Sequence, residues 1–416
     1  MKKFLFAGLL ALFAADAWAQ LATSVAVDDV NIYVGSPQYT SFVVIDRKSD
    51  QMTFYNPENS NMSVGGNNFF GGILAKNGEA WVMYGAGNVG HYKDGRLYWR
   101  NVPVQGQISR PQFDSKGHIW AAIEGANRFV QLSSVNMAFE YESESFGLPY
   151  SLEQGPYDLG ITRDGTIWAR LNRGMRGDIV RHKKYGEMEF FKEAEDAFAA
   201  ENNGLKIANI ALDGKDQLWT LLMTNEKKNL CLATFDGKAF TKVKDITDQM
   251  YHSILGMEFD EHNRLWIMFW KYVEKAGNPD EKTKVLLPCY YEEGKIHQIA
   301  EIALDSPYGS NLFYAPRWTV YDNTVYISHS VLSEDTSIAV RERTHYPHVV
   351  LYTADLSGRV TARDIDPEAD AQLPTSVDRL SAADGSHARL YDLQGRQLQA
   401  EPEKGIYIKD GKKFVK

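Results

Sequence analysis

Three arginines crowd one short segment, Arg170, Arg173 and Arg176, with Asn172 among them. Arg128 occupies the corresponding place in the preceding stretch of similar pattern, and Arg110 lies a little before it. Guanidinium forks match carboxylate, sulfate and phosphate groups, so these five side chains could gather an anion. The plainer reading pairs them with Glu124, Asp178 and other acids. Glu124, Arg173 and His329 also admit a catalytic alternative. There an arginine holds a substrate carboxylate and Glu or His moves a proton, as in a lyase or hydrolase.

Aromatic residues are dense around the same segments: Phe69, Phe70, Tyr84, Tyr157, Tyr251, Trp270, Tyr272, Phe313, Tyr314 and Trp318. Exposed, they could stack on sugar rings or hold peptide; packed, they are core. Trp270 and Tyr272 stand out because they open a long polar insertion. The ten histidines show no metal-ligand spacing. His345 and His348 are three apart in a loop-like stretch, where a surface pair is the plainer reading. There is no G-x-S-x-G, H-E-x-x-H or phosphate-binding loop. Neither a metal nor a cofactor is expected.

The elements that must position these residues repeat. AKNGEAW ends at Trp81, FDSKGHIW at Trp120, GITRDGTIW at Trp168, ALDGKDQLW at Trp219 and FDEHNRLW at Trp266. The anchors are 39, 48, 51 and 47 residues apart. Weaker copies flank them, with Tyr33 and Tyr326 in the tryptophan position. Each unit holds short β-branched or aromatic runs bounded by Gly, Asn, Asp and Ser, which read as strands. Units of this length stack as four-stranded blades. The fold class is therefore all-β, a seven-bladed β-propeller with a small C-terminal β segment.

Within each unit an Asp-Gly turn should supply the left-handed position of a hairpin, and the Trp should pack between sheets. Asp114, Asp164 and Asp213 read as turn residues rather than calcium ligands. The first unit holds four strand-like runs of its own, as does the last, so the ring should close without one terminus lending a strand to the other. The stretches RLNRGMRGD, WKYVEKAGNPDEKTK and SHSVLSEDTSIAVRERTHYPH read as loops, all on one face, where binding is expected. A short helix is predicted over 192–203, stopped by Gly204.

The 416-residue chain carries a net charge of −9. Acidic surfaces repel nucleic acid and anionic lipid, so neither is an expected partner. Lys2 and Lys3, an apolar run over 4–14 and Ala17-Trp18-Ala19 read as a signal peptide over 1–19, cleaved before Gln20. No later run is long enough to span a membrane. The protein is expected to be exported: extracellular, on the cell surface or periplasmic. The propeller then covers 20–366, a polar linker 367–378 and the C-terminal β segment 379–416. Export permits a disulfide between Cys231 and Cys289; their equivalent places in consecutive units favour two buried thiols.

The tail carries Leu390-Tyr391-Asp392-Leu393-Gln394-Gly395-Arg396, then Lys404-Gly405-Ile406-Tyr407-Ile408, then Gly411-Lys412-Lys413. In this order they resemble the C-terminal sorting segment of proteins that Bacteroidota export by the type IX system. That resemblance implies passage across the outer membrane with the export machinery as partner. The repeats, approximately Asp-x-x-Gly-x-(Ile/Leu)-Trp, resemble the sensor propellers of two-component regulators over about 24–366. GHIWAAIEGANRFVQL is similar to the streptogramin-lyase type of propeller. Its Glu124 stands four residues after Trp120 where that family has three, so no catalytic residue carries over.

The leading expectation is a non-catalytic binding module for a carbohydrate or another polar or anionic small molecule. The candidate residues are Arg110, Glu124, Arg128, Arg170, Arg173, Arg176, Trp270, Tyr272, Trp318 and His329. The alternatives are the lyase or hydrolase at the central mouth and a scaffold for protein partners.

Overall fold

The computed structural model describes residues 24–36, 41–56, 59–60, 62, 70–85, 87–104, 106–124, 128–142, 156–173, 176–182, 188–224, 229–246, 253–275, 278–304, 316–331, 348–365, 390–392, 397–398, 406–409 and 412–415. The signal-peptide and linker segments lie outside them. So do Phe69, Tyr251, Phe313, Tyr314 and His345, and the side chains of Tyr157 and His348. Backbone contacts divide the chain into two units, 1–364 and 365–416.

The first unit is a ring of seven antiparallel blades. Blade 1 is built from Ser24–Val27, Asn31–Ser36, Ser41–Asp46 and Met52–Tyr55 (β1–β4). Blade 2 follows as Phe70–Lys76, Glu79–Tyr84, Asn88–Lys93 and Arg96–Asn101 (β5–β8). Blade 3 is Gln107–Phe113, Ile119–Glu124, Arg128–Leu132 and Phe139–Glu142 (β9–β12). Blade 4 is Pro156–Ile161, Ile167–Arg173, Arg176–His182 and Met188–Phe190 (β13–β16). Blade 5 is Lys206–Leu212, Leu218–Met223, Leu230–Phe235 and Phe240–Ile246 (β17–β20). Blade 6 is Ser253–Phe259, Leu265–Lys275, Asn278–Glu292 and Lys295–Gln298 (β21–β24), with Ile302–Leu304 (β25) added along β23. Blade 7 is Arg317–Tyr321, Thr324–Val331, His348–Asp355 and Val360–Asp364 (β26–β29). A single pairing, Gly177 with Ile207, joins the sheets of blades 4 and 5. The predicted helix is Lys192–Glu201 (α1), between those blades, and Gly204 follows it with φ +73°.

One turn, repeated, explains the sequence pattern. In blade 3 Asp114 Oδ1 accepts the backbone N–H groups of Lys116 and His118, and Oδ2 accepts the Trp120 indole N–H at 3.2 Å. Asp213 does the same for Lys215, Gln217 and Trp219, and Asp260 for His262, Arg264 and Trp266. In blade 4 Thr162 takes that place, and Asp164 bonds within the turn instead. The residue three before six of the seven anchors is left-handed: Gly78, Gly117, Gly165, Asp216, Asn263 and Asn323; Val30, before Tyr33, is not. The expected Asp-Gly role therefore fails in blade 5, where Asp216 turns the chain and the Gly214 N–H bonds Asn263 of blade 6. Asp and Asn tolerate this conformation because their short side chains bond locally.

Each anchor packs against the next blade. Trp81 joins the core between blades 2 and 3, Trp120 that between 3 and 4, Trp168 that between 4 and 5, and Trp266 that between 6 and 7. Trp219 lies against the core shared by blades 5 and 6. The ring is thus a series of apolar layers between faced sheets. Phe70 and Tyr84 belong to the layer between blades 1 and 2, so these two rim candidates are core.

The turns also form a belt. Gly78 N–H donates to Asp28 Oδ2 at 2.7 Å, the Trp81 indole to the Ser134 carbonyl at 2.7 Å, and Ser115 Oγ to the Arg163 carbonyl at 2.6 Å. Arg163 pairs with Asp216 at 2.8 Å, Gly214 with Asn263, and Asp322 N–H with Glu261 at 2.7 Å. Arg47 reaches Asp322 at 3.9 Å, and Arg363 pairs with Asp50. Blades 1 and 7 therefore meet through side chains while β26 touches β1, each blade keeping its own four strands.

Two stretches read as loops are paired strands. RLNRGMRGD forms the end of the β14–β15 hairpin, with Arg173 opposite Arg176. WKYVEKAGNPDEKTK extends β22 and β23 as far as Lys275 opposite Asn278. Tyr272, Val273 and Glu274 are exposed there, while Trp270, Thr283 and Lys284 nearer the blade are half-buried. Cys231 and Cys289 are buried free thiols on equivalent third strands.

The second unit contains one small antiparallel sheet of Leu390–Asp392, Gln397–Leu398, Ile406–Lys409 and Lys412–Val415 (β30–β33), ordered β31-β30-β32-β33.

Candidate functional site

The innermost strands of blades 2, 4, 5 and 6 each carry a bulge opposite the segment two to three residues past the Trp anchor, and blade 3 carries one a step earlier. Bulges re-aim side chains. After the blade 4 bulge comes Asp158, which gathers three neighbours. Its Oδ2 accepts Arg170 Nε at 2.6 Å and Asn209 Nδ2 at 3.3 Å, and its Oδ1 lies 3.8 Å from Arg110 Nη1. Arg110 is part of the blade 3 bulge, with φ +53°. This network ties the inner strands of blades 3, 4 and 5 together. Arg170 is only 7% exposed, so much of its capacity is turned inward.

Arg128 lies apart from that network. Its guanidinium pairs with Glu142 of the outermost strand of its own blade at 2.7 Å. Arg173 and Arg176 face each other at the hairpin end, and Glu124 closes β10 opposite Gln107; the side chains of these three lie outside the described residues. The structure thus brings two of the five arginines together around a shared acid and places a third elsewhere.

Trp270, Trp318 and His329 converge between blades 6 and 7. Trp270 and Trp318 lie against the same apolar core as Trp266, Met268, Leu286 and Ile327. His329 follows Ile327 by two on β27, which puts it on the same face of the strand. Trp318 approaches Gly256 closely: a Cβ there would sit 3.1 Å from the indole nitrogen, so the indole would have to shift by a few tenths of an ångström. Tyr272 stands edge-on to Trp270, ring centres 4.9 Å apart, and is 38% exposed.

At the centre of this group is Lys284 of β23, which pairs in register with Tyr272. Its ammonium lies 4.5 Å from the centre of the Trp270 ring. Burial holds it below the usual lysine range. His329 is 6% exposed, and burial, with the Lys284 charge, pushes it down to about 4, so the imidazole is neutral at physiological pH. Its Nδ1 is enclosed without a hydrogen-bond partner among the described residues. Lys284 escaped the sequence reading because NPDEKTK resembles a solvated charge run. Asp158 escaped because its partners occupy unlike positions in three blades. The only signal for Lys284 was its place in alternation with Leu286, two residues on.

Among the described residues no group of three or more His, Cys, Asp or Glu could hold a metal ion, and no helix is long and apolar enough to cross a membrane.

Strand order and ring closure define the class: the first unit is a seven-bladed β-propeller. No family model and no curated protein matches the chain. The chain is similar to several solved structures at low identity. Hydrazine synthase of Kuenenia stuttgartiensis is 12% identical over 84% of this chain and 96% of that one, with TM-score 0.41. The computationally designed Ika8 protein is 12% identical over 83% and 87%, with TM-score 0.42. BamB of Moraxella catarrhalis is 11% identical over 82% and 84%, with TM-score 0.41.

Proposed function

We propose that this propeller is an exported, non-catalytic binding module for a polar or anionic small molecule or glycan, held on the face where the β22–β23 hairpin projects. One observation carries the reading: Lys284, withdrawn from water over Trp270 beside a neutral His329, forms no ion pair with an acid among the described residues. A charge removed from water without a counter-charge is costly, and sites of that kind are kept where a ligand completes them. The catalytic alternative gains less support. Among the described residues His329 makes no hydrogen bond or ion pair with an acid, and the side chains of Glu124 and Arg173, the other two residues of that alternative, lie outside them.

The export reading rests on the N-terminal 1–19 pattern and on the ordered tail motifs over 390–413, which would engage type IX machinery of a Bacteroidota host. Removal of 379–416 should leave the protein in the periplasm of such a host; unchanged release would count against that role.

The binding reading is tested by a thermal-shift screen of glycans and metabolites on the full chain. A ligand at 100 times its dissociation constant adds about 2.7 kcal/mol, so weak binders register. A screen silent across sugars, uronates and small acids would overturn it.

A further inference from the structure

Resting on that reading, we propose that the site between blades 6 and 7 takes a singly charged carboxylate borne on a sugar ring, a hexuronate in class, with the carboxylate at Lys284 and the ring against Tyr272.

The charge count sets the anion. Among the described residues Lys284 is one cation without an acid partner, and the imidazole near it is neutral, so one negative charge completes the group. A phosphate dianion would leave excess charge enclosed, which costs as the lone cation does. The Trp270 face compensates only in part, because a ring quadrupole is weaker than a formal counter-charge. The nearby Lys271 offers the contrast. It pairs with Glu301 at 2.6 Å and needs nothing further.

The aromatic arrangement sets the rest of the ligand. One face of Trp270 is covered by the Lys284 ammonium, and the ring lies against the core. Tyr272 is the open surface, level in register with Lys284. A pyranose presents a C–H face to such a ring and hydroxyls at its rim. His329 Nδ1, with no hydrogen-bond partner among the described residues, supplies a second polar atom near the cation. A bare carboxylate would use the cation and leave the tyrosine idle.

The test is isothermal titration of the full chain with galacturonate and glucuronate, with galactose and glucose, and with inorganic phosphate, repeated on Lys284→Met. Uronates should bind at least about tenfold tighter than their neutral parents. Lys284→Met should erase that preference and leave any weak binding of neutral sugar unchanged. Equal affinity for uronate and neutral sugar overturns the carboxylate assignment while the binding reading stands, and so does a preference for phosphate. Absence of saturable heat with either uronate overturns it as well; the broader reading falls only if the thermal-shift screen is also silent. If Lys284→Met folds poorly, the comparison of uronate with neutral sugar on the parent protein decides alone.

Discussion

The Trp266 indole N–H donates to Asp260 Oδ2 at 2.8 Å, while the other oxygen of the same carboxylate closes the turn between them. One side chain therefore fixes both the hairpin and the rotamer of the residue that packs on the next blade. Asp260→Ala should cost about 1–3 kcal/mol, the penalty for enclosed donors left unpaired. Asp260→Asn, which keeps an acceptor, should cost less. Chemical denaturation of the two variants checks the order, and equal losses would deny the shared role.

Asp158 poses a different question, because its partners include the nearly buried Arg170. Asp158→Ala should cost about 1–3 kcal/mol by removing the acceptor that Arg170 and Asn209 share. Adding Arg170→Met should recover most of the loss in urea unfolding. No recovery would mean that the arginine has enough other partners to stand alone.

Gly71 is the bulged residue of blade 2, and a Cβ there would lie 1.9 Å from the Ile108 carbonyl oxygen of blade 3. Backbone cannot yield as a side chain does. Gly71→Ala should therefore cost at least the usual overpacking penalty of about 1–3 kcal/mol, read as a lowered melting temperature.

Glu258 of β21 accepts the Val320 N–H of blade 7 at 2.6 Å, and burial raises its carboxyl from 4.5 to about 8. An acid raised in the fold keeps a proton that the unfolded chain releases. Its contribution is complete below pH 4.5 and is lost as pH rises toward 8. Glu258→Gln keeps an acceptor and removes the titration. Its melting temperature should vary less between about pH 5 and 8 and exceed that of the parent at the upper end; superimposable profiles would refute the enclosure.

The fold was legible because its signals are local. The turn acid, the left-handed residue and the aromatic anchor lie within seven consecutive positions and recur. The site was less so. Trp270, Trp318 and His329 stood out by type, but their meeting depends on how two blades face each other. Lys284 and Asp158 take their meaning from partners on neighbouring strands or blades, and no spacing announces that. Arg128 looked equivalent to Arg170, yet Glu142 on its own sheet claims it.

Every blade of the ring is woven from one uninterrupted run of sequence, and side chains join blades 7 and 1; only blades 4 and 5 share a strand pairing among the described residues. No seam is topologically privileged. A permuted ring that starts at blade 4 and ends at blade 3 would keep every strand pairing, Gly177 with Ile207 included, within one blade or between blades consecutive in the chain. Such a fold can grow or rearrange by copying whole units, leaving one blade free to diverge at its projecting hairpin while the others hold the circle.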